Sequence, residues 1–149
     1  MTSKPILLVE DNPDDEVLTL RAFRKSGISN EIVVVRDGAE ALAYLFPAEG
    51  EGSATLRPAL ILLDLNLPKV GGLEVLRRMR ADARTQLIPV VVLTSSKLEE
   101  DIVDSYRNGA NAYVRKPVKF VEFADAVHTI GVFWLLLNQP APSRAPEPD

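Results

Sequence analysis

Five short apolar runs, separated by stretches of helical periodicity, constrain this chain more than any other feature. They are Ile6-Leu7-Leu8-Val9, Ile32-Val33-Val34-Val35, Leu60-Ile61-Leu62-Leu63, Val90-Val91-Val92-Leu93 and Ala112-Tyr113-Val114. None alternates apolar with polar residues, which is how strands covered on both faces read. Between them the spacing changes. Val17, Leu20 and Phe23 recur every three residues, as do Leu73, Leu76 and Met79. Leu98, Ile102 and Tyr106 are four apart, and Phe123, Val127 and Ile130 fit a last helix. Gly38 to Leu45 gives a shorter one, with Ala41, Leu42 and Leu45 on one side. Five strands alternating with five helices predict an α/β fold, a doubly wound parallel sheet with helices on both faces. Ligands of such sheets sit at the carboxyl ends of the strands, where strand order reverses.

Composition narrows the chemistry. The 149 residues suit one domain. A formal charge of −4 argues against a nucleic-acid partner bound through bulk charge. With no cysteine, disulfides, thiol catalysis and thiolate metal sites are excluded, and a single histidine excludes a His-rich metal centre. The longest uninterrupted apolar run, Val132 to Leu137, is far shorter than the ~20 residues of a membrane helix. No cleavable apolar segment precedes the first strand, so the expected location is the cytoplasm. Pro47 to Pro58 reads as a long surface loop, and Gln139 to Asp149, with four prolines, as an extended tail.

The ends of the strands hold the informative residues. The first strand ends in Glu10-Asp11, the third in Asp64, the fourth in Thr94-Ser95-Ser96 and the fifth in Arg115-Lys116-Pro117. In a parallel sheet all of these reach one rim. Converging carboxylates repel one another unless a cation intervenes. An all-oxygen set suits a hard divalent cation such as Mg2+. A hydroxyl at Thr94 and a point charge at Lys116 complete the parts for phosphoryl transfer to an aspartate. Taken singly, each residue reads as a solvated loop residue or a helix cap. Asp14 reads as the cap before the Val17 stripe, and Thr94 or Ser95 as a cap for the helix near Leu98. Five suitable residues at the ends of four strands are what shift the balance.

These pieces resemble the receiver domain of two-component response regulators. The matching segments are Leu7-Leu8-Val9-Glu10-Asp11-Asn12, Leu63-Asp64-Leu65-Asn66-Leu67-Pro68, Gly71-Gly72, Leu93-Thr94-Ser95-Ser96, Gly109-Ala110-Asn111-Ala112-Tyr113 and Lys116-Pro117, in order over roughly residues 5 to 130. The resemblance implies a flavodoxin-like sheet in the order 2-1-3-4-5. It implies a receiver over residues 4–131, followed by an extension over 132–149. By resemblance, Asp64 is the phosphoacceptor. Asp11, Glu10, Asp64 and the backbone carbonyl of Asn66 serve a magnesium ion. Thr94 and Lys116 hold phosphoryl oxygens, and Tyr113 rotates inward when Thr94 is drawn toward the phosphoryl group. The Lys116–Pro117 bond matches the family's cis peptide, Gly72 relieves crowding before the third helix, and Asn66 and Ser96 tune hydrolysis. The implied function is a stand-alone regulator that takes a phosphoryl group from a sensor histidine kinase and signals through protein contacts, without being a turnover enzyme.

Val132, Phe133, Trp134, Leu135 and Leu136, with Leu137, cannot all face one side of a helix, because a turn takes 3.6 residues. Contiguous exposed apolar surface marks an interface. A homodimer contact through this segment is therefore expected; the alternative is a long last helix tucked on its own sheet. The segment and the long Pro47–Pro58 loop resemble those of small regulators paired with bacterial phytochromes, which implies such a kinase as partner. His128 is expected to be structural, near terminal helix carbonyls. An aspartyl-phosphate phosphatase is the main rival, but such enzymes show Asp-x-Asp where this chain has Asp64-Leu65-Asn66. A scaffold with a degenerate site conflicts with the intact set, and a mononucleotide module lacks a Gly-rich loop after the first strand.

Overall fold

A computed structural model describes residues 4–47 and 57–142. The strands are β1 (Ile6–Val9), β2 (Ile32–Val35), β3 (Leu60–Leu63), β4 (Val90–Thr94) and β5 (Ala112–Arg115). They alternate with α1 (Pro13–Lys25), α2 (Gly38–Leu45), α3 (Gly72–Arg80), α4 (Glu99–Arg107) and α5 (Phe120–Gly131). All pairings are parallel, in the order β2-β1-β3-β4-β5. The fold is the flavodoxin-like one expected.

Period-two alternation divides each central strand between two cores. Leu7, Val9, Ile61, Leu63, Val90 and Val92 face α2 and α3, meeting Ala41, Leu45, Val75, Leu76 and Met79. Ile6, Leu8, Leu60, Leu62, Val91 and Leu93 face α1 and α5, meeting Phe23, Phe123, Val127 and Ile130. Burial on both faces explains why these strands carry no polar alternation.

Two helical stripes differ from expectation. In α1 the buried line is Thr19, Ala22 and Phe23, while Val17 is exposed. The cause is where the helix starts. Asn12, not Asp14, is the N-cap: its side chain accepts from the Asp14 and Asp15 amides, and Pro13 fills the first helical position. In α4, Leu98, Val103 and Tyr106 are exposed and only Ser105 is buried. Val103 and Tyr106 thus lie on the outside of the fold, while Ile102 is half-buried.

The chain continues from α5 into a π-helical stretch, Val132–Leu137, closed by the Asn138 amide donating to the Phe133 carbonyl. Trp134 and Leu135 pack against the α1/α5 core, while Phe133, Leu136 and Leu137 are exposed. The segment is an elongated helix and an exposed apolar surface at once. Phe120–Leu137 also has the length and composition of a membrane span, with a mean hydropathy of 1.6 over 18 residues. Counting unbroken apolar runs overlooks this, because Glu122, Asp125 and His128 interrupt them. Phe123, Val127 and Ile130 on this helix are committed to the sheet's core. Residues 48–56 of the expected loop and 143–149 of the tail lie outside the described residues.

Candidate functional site

Three of the strands that contribute to the rim, β1, β3 and β5, end in backbone bonding that fixes the next residue. The Asp64 amide donates to the Val9 carbonyl (3.1 Å), the Glu10 amide to Val35 (3.0 Å) and the Lys116 amide to Thr94 (2.7 Å). Neighbouring strands are thereby locked together at the residues that carry the chemistry. The chain turns tightly after Asp64, and Gly72 makes the turn possible. A Cβ there would lie 2.4 Å from the Asp64 carbonyl oxygen and 2.7 Å from the Leu65 Cα, well inside van der Waals contact.

Asp64 is 5 % exposed and its two carboxylate oxygens have different partners. Oδ1 accepts from the Thr94 hydroxyl (2.8 Å) and the Asn66 amide (3.1 Å). Oδ2 accepts from the Lys116 ammonium at 2.8 Å. Lys116 also reaches Glu10 Oε1 at 2.7 Å and Asp15 Oδ2 at 2.8 Å. An ammonium has three N–H donors, so all are engaged. Burial alone would lower the Lys116 pKa, but bonds to Asp15, Asp64 and Glu10 outweigh it and hold the ammonium above the usual lysine range. Burial pushes the Glu10 carboxyl up to about 7, against the pull of Lys116 and of the Asn12 amide.

Glu10, Asp11 and Asp64 each present a carboxylate oxygen within 4.8 Å of the others. Glu10 and Asp64 are buried and Asp11 is exposed. With Asp15, three carboxylates contact one ammonium, and Asp11 adds a fourth negative charge beside Glu10 and Asp64. Such an excess of negative charge in a half-buried cleft fits a divalent cation, and an all-oxygen donor set fits a hard one. Asp11 gives the set an open side toward water.

The rim therefore gathers Glu10, Asp11, Asp64, Thr94 and Lys116. Asn66 joins them through its amide, with its residue otherwise exposed. At Pro117 the structure corrects an expectation; at Thr94 and Tyr113 it shows the side chains before any phosphoryl group arrives. The Thr94 hydroxyl already bonds Asp64, because a fully buried hydroxyl needs an acceptor and Asp64 is the one at hand. Tyr113 is half-buried, its hydroxyl donating to the Ser96 carbonyl at 3.1 Å. The bond before Pro117 is trans, as no cis peptide occurs among the described residues. Trans is favoured before proline by about 0.5–1 kcal/mol, and Lys116 reaches its three carboxylates from that backbone. The segment Val132–Leu136 belongs to the other rim, since α5 runs back from the site and Trp134 and Leu135 flank a cavity of about 500 Å³ beside Pro58 and Pro89, which precede β3 and β4.

Two residues escaped the sequence reading. Asp15 was obscured by taking Asp14 as the cap; the pair Asn12-Pro13 was the signal that fixes the helix start and brings Asp15 to the cleft. Asp101 accepts a short hydrogen bond from the Ser96 hydroxyl. That hydroxyl also accepts from the Leu98 amide at 3.3 Å, so Ser96, rather than Thr94 or Ser95, secures the start of α4. No local pattern distinguishes Asp101 from Glu99 and Glu100.

Comparison with known proteins agrees with this geometry. The family model described as the response regulator receiver domain matches residues 6–128. Response regulator Rcp1 of Synechocystis is 42% identical over 132 residues, covering 89% of both chains. Its Mn(2+)-bound crystal structure superposes with a TM-score of 0.87, covering 94% of this chain and 100% of that one. The phosphorylated cyanobacterial phytochrome response regulator RcpA is 44% identical with a TM-score of 0.88, over 95% of this chain and 100% of that one. The bacteriophytochrome response regulator RtBRR is 54% identical with a TM-score of 0.70, over 96% and 86%.

Proposed function

Because the chain belongs to the response regulator receiver domain family, we propose that it is a stand-alone response regulator, folded as a receiver over residues 4–131, that accepts a phosphoryl group on Asp64 from a sensor histidine kinase. The observation that carries this is the division of labour at the Asp64 carboxylate: a hydroxyl and an amide on one oxygen, an ammonium on the other, and two further carboxylates within 4.8 Å. Each donor is placed where oxygens of a transferred phosphoryl group would need neutralising.

In the transfer, an Asp64 oxygen forms a bond to phosphorus while the phosphorus–nitrogen bond of a phosphohistidine breaks. The electron pair returns to the imidazole, and Asp64 becomes an acyl phosphate. Lys116 gives up its bond to Oδ2 for a phosphoryl oxygen, and the Thr94 hydroxyl turns to another. Glu10, Asp11, Asp64 and the Asn66 carbonyl would hold a Mg2+ ion, which when bound neutralises charge on the transferred oxygens. The Mn(2+)-bound and phosphorylated states of Rcp1 and RcpA support both halves of this reading.

The new charge is read as a change of surface. Tyr113 and Ser96 link β5 to the start of α4, and α4 displays Leu98, Val103 and Tyr106 outward. A face of this kind suits a protein partner, and the acidic balance of the chain fits a protein better than nucleic acid. Likeness to RcpA and RtBRR supports a bacterial phytochrome as the kinase, and with it a cytoplasmic location. We assign a homodimer contact to residues 132–136, supported by exposed Phe133 and Leu136.

Incubation with acetyl phosphate and Mg2+, followed by intact mass measurement, tests the acceptor. One phosphoryl increment is expected on the wild type and none on Asp64→Asn; equal labelling would overturn the assignment. Steady multiple turnover of a generic phosphate ester would favour the phosphatase instead.

A further inference from the structure

Lys116 makes one bond that the phosphoacceptor reading does not use. Two of its partners, Glu10 and Asp64, belong to the carboxylate cluster suited to a cation. The third, Asp15, does not belong to that cluster, and comes from the first turn of α1. Its carboxylate is 22 % exposed and lies 2.8 Å from a Lys116 side chain that is only 8 % exposed.

All three Lys116 donors are engaged, so the bond to Asp15 bears on the other two. A carboxylate already bonded to an ammonium is a poorer ligand for a cation, because like charges then share its oxygens. Lys116 leans on Glu10 and Asp64 and so competes with a metal ion for both. An ammonium that lost its carboxylates inside the fold would be a buried charge without a partner, which is costly. Asp15 removes the conflict. It keeps a full counter-charge on Lys116 while Glu10 and Asp64 turn toward a cation, and it is anchored by the Asn12 cap, which binds the Asp15 amide at 3.1 Å.

We propose that Asp15 is a positioning residue that acts through Lys116, parking the ammonium on a carboxylate outside the metal cluster so that Glu10 and Asp64 are free to bind a divalent cation. The proposal rests on the phosphoacceptor reading of the site.

The test is Mn2+ binding to the full chain, measured by calorimetry or by loss of the free-ion electron paramagnetic resonance signal, for wild type, Asp15→Asn, Asp15→Ser and Asp14→Asn. Asp14 is the exposed neighbour in the same turn and controls for the simple loss of a negative charge. Binding should weaken roughly fivefold in both Asp15 variants and little in Asp14→Asn, in line with coupling among groups that share a partner. The same Asp15→Asn change made in a Lys116→Ala background should then have little effect. If wild type binds Mn2+ and both Asp15 variants bind equally well, Asp15 has no such role while the cluster stands. An Asp15 effect that persists without Lys116 overturns the parking role too. Should wild type bind no Mn2+, the cation site and the role of Asp15 fall together.

Discussion

A methyl group on Gly72 would press against the carbonyl of the residue proposed to receive the phosphoryl group. The obstacle is backbone, which cannot rotate aside as a side chain can. Gly72→Ala should therefore destabilise the fold by about 1–3 kcal/mol, the usual scale of overpacking, and slow phosphorylation by displacing Asp64. A urea melt and an acetyl phosphate time course check the two effects; a variant with the wild-type midpoint would show that the turn yields freely. Crowding of charge at Asp64 makes a second expectation. Three carboxylates on one ammonium, with Asp11 beside two of them, should bind a cation only in the folded state, so Mg2+ at a hundred times its dissociation constant should stabilise the protein by about 2.7 kcal/mol. Thermal melts with Mg2+ and with chelator measure this, and Asp11→Asn should shrink the difference. Most of this site is legible in the sequence, because Glu10, Asp11, Asp64, Thr94 and Lys116 each close a strand, and parallel strands bring their ends to one rim. Asp15 was not legible: it sits on a helix, and its reach depends on a cap position that shifts its direction by a large part of a turn.

Helix starts are where local sequence and function meet in this fold. Asn12 caps α1 and also donates its own amide to Glu10 Oε2 at 3.1 Å. Asn12→Ala removes only the side-chain half of that arrangement, and should cost about 1 kcal/mol by urea denaturation, leaving the amide bond to Glu10 in place. The start of α4 depends on a different device. Leu98 stands at its cap position with no side chain to offer; the Ser96 hydroxyl and Asp101 do the work between them. Since the Ser96 carbonyl also receives the Tyr113 hydroxyl, releasing Asp101 should loosen α4 and Tyr113 together. Faster amide exchange in the first turn of α4 is expected for Asp101→Ala, with α1 and α3 unchanged. Exchange at the wild-type rate would mean that Leu98 and the helix backbone hold this end unaided. The central strands β1, β3 and β4 were readable as elements because they are buried on both faces, and the half-buried edge strands β2 and β5 by their β-branched and apolar runs. α4 was readable as a helix but not as an outward-facing one, since a stripe of Leu98, Ile102 and Tyr106 looks the same whether it meets a core or a partner.

At the scale of the whole molecule the two rims of the sheet do different things. The carboxyl rim gathers the acids, Thr94 and Lys116. The chain then returns along α5 to the opposite rim, where Trp134 and Leu135 close over the α1/α5 core and Phe133, Leu136 and Leu137 are left 47 %, 66 % and 70 % exposed. Three large apolar side chains within five residues are left to water, and water contact with them costs free energy that a second copy would remove. The separation of the rims makes the contact testable apart from the chemistry. Phe133→Ser with Leu136→Ser replaces exposed groups only, so the fold and the rate of labelling by acetyl phosphate should stay within about twofold of wild type, as surface changes remote from a site do. Sedimentation equilibrium should move from dimer toward monomer. A dimer of unchanged strength would place the contact elsewhere, and the exposed Val118, Phe120 and Val121 at the start of α5 would then be the next surface to alter, with the difference that changes there lie beside Lys116 and should alter labelling as well.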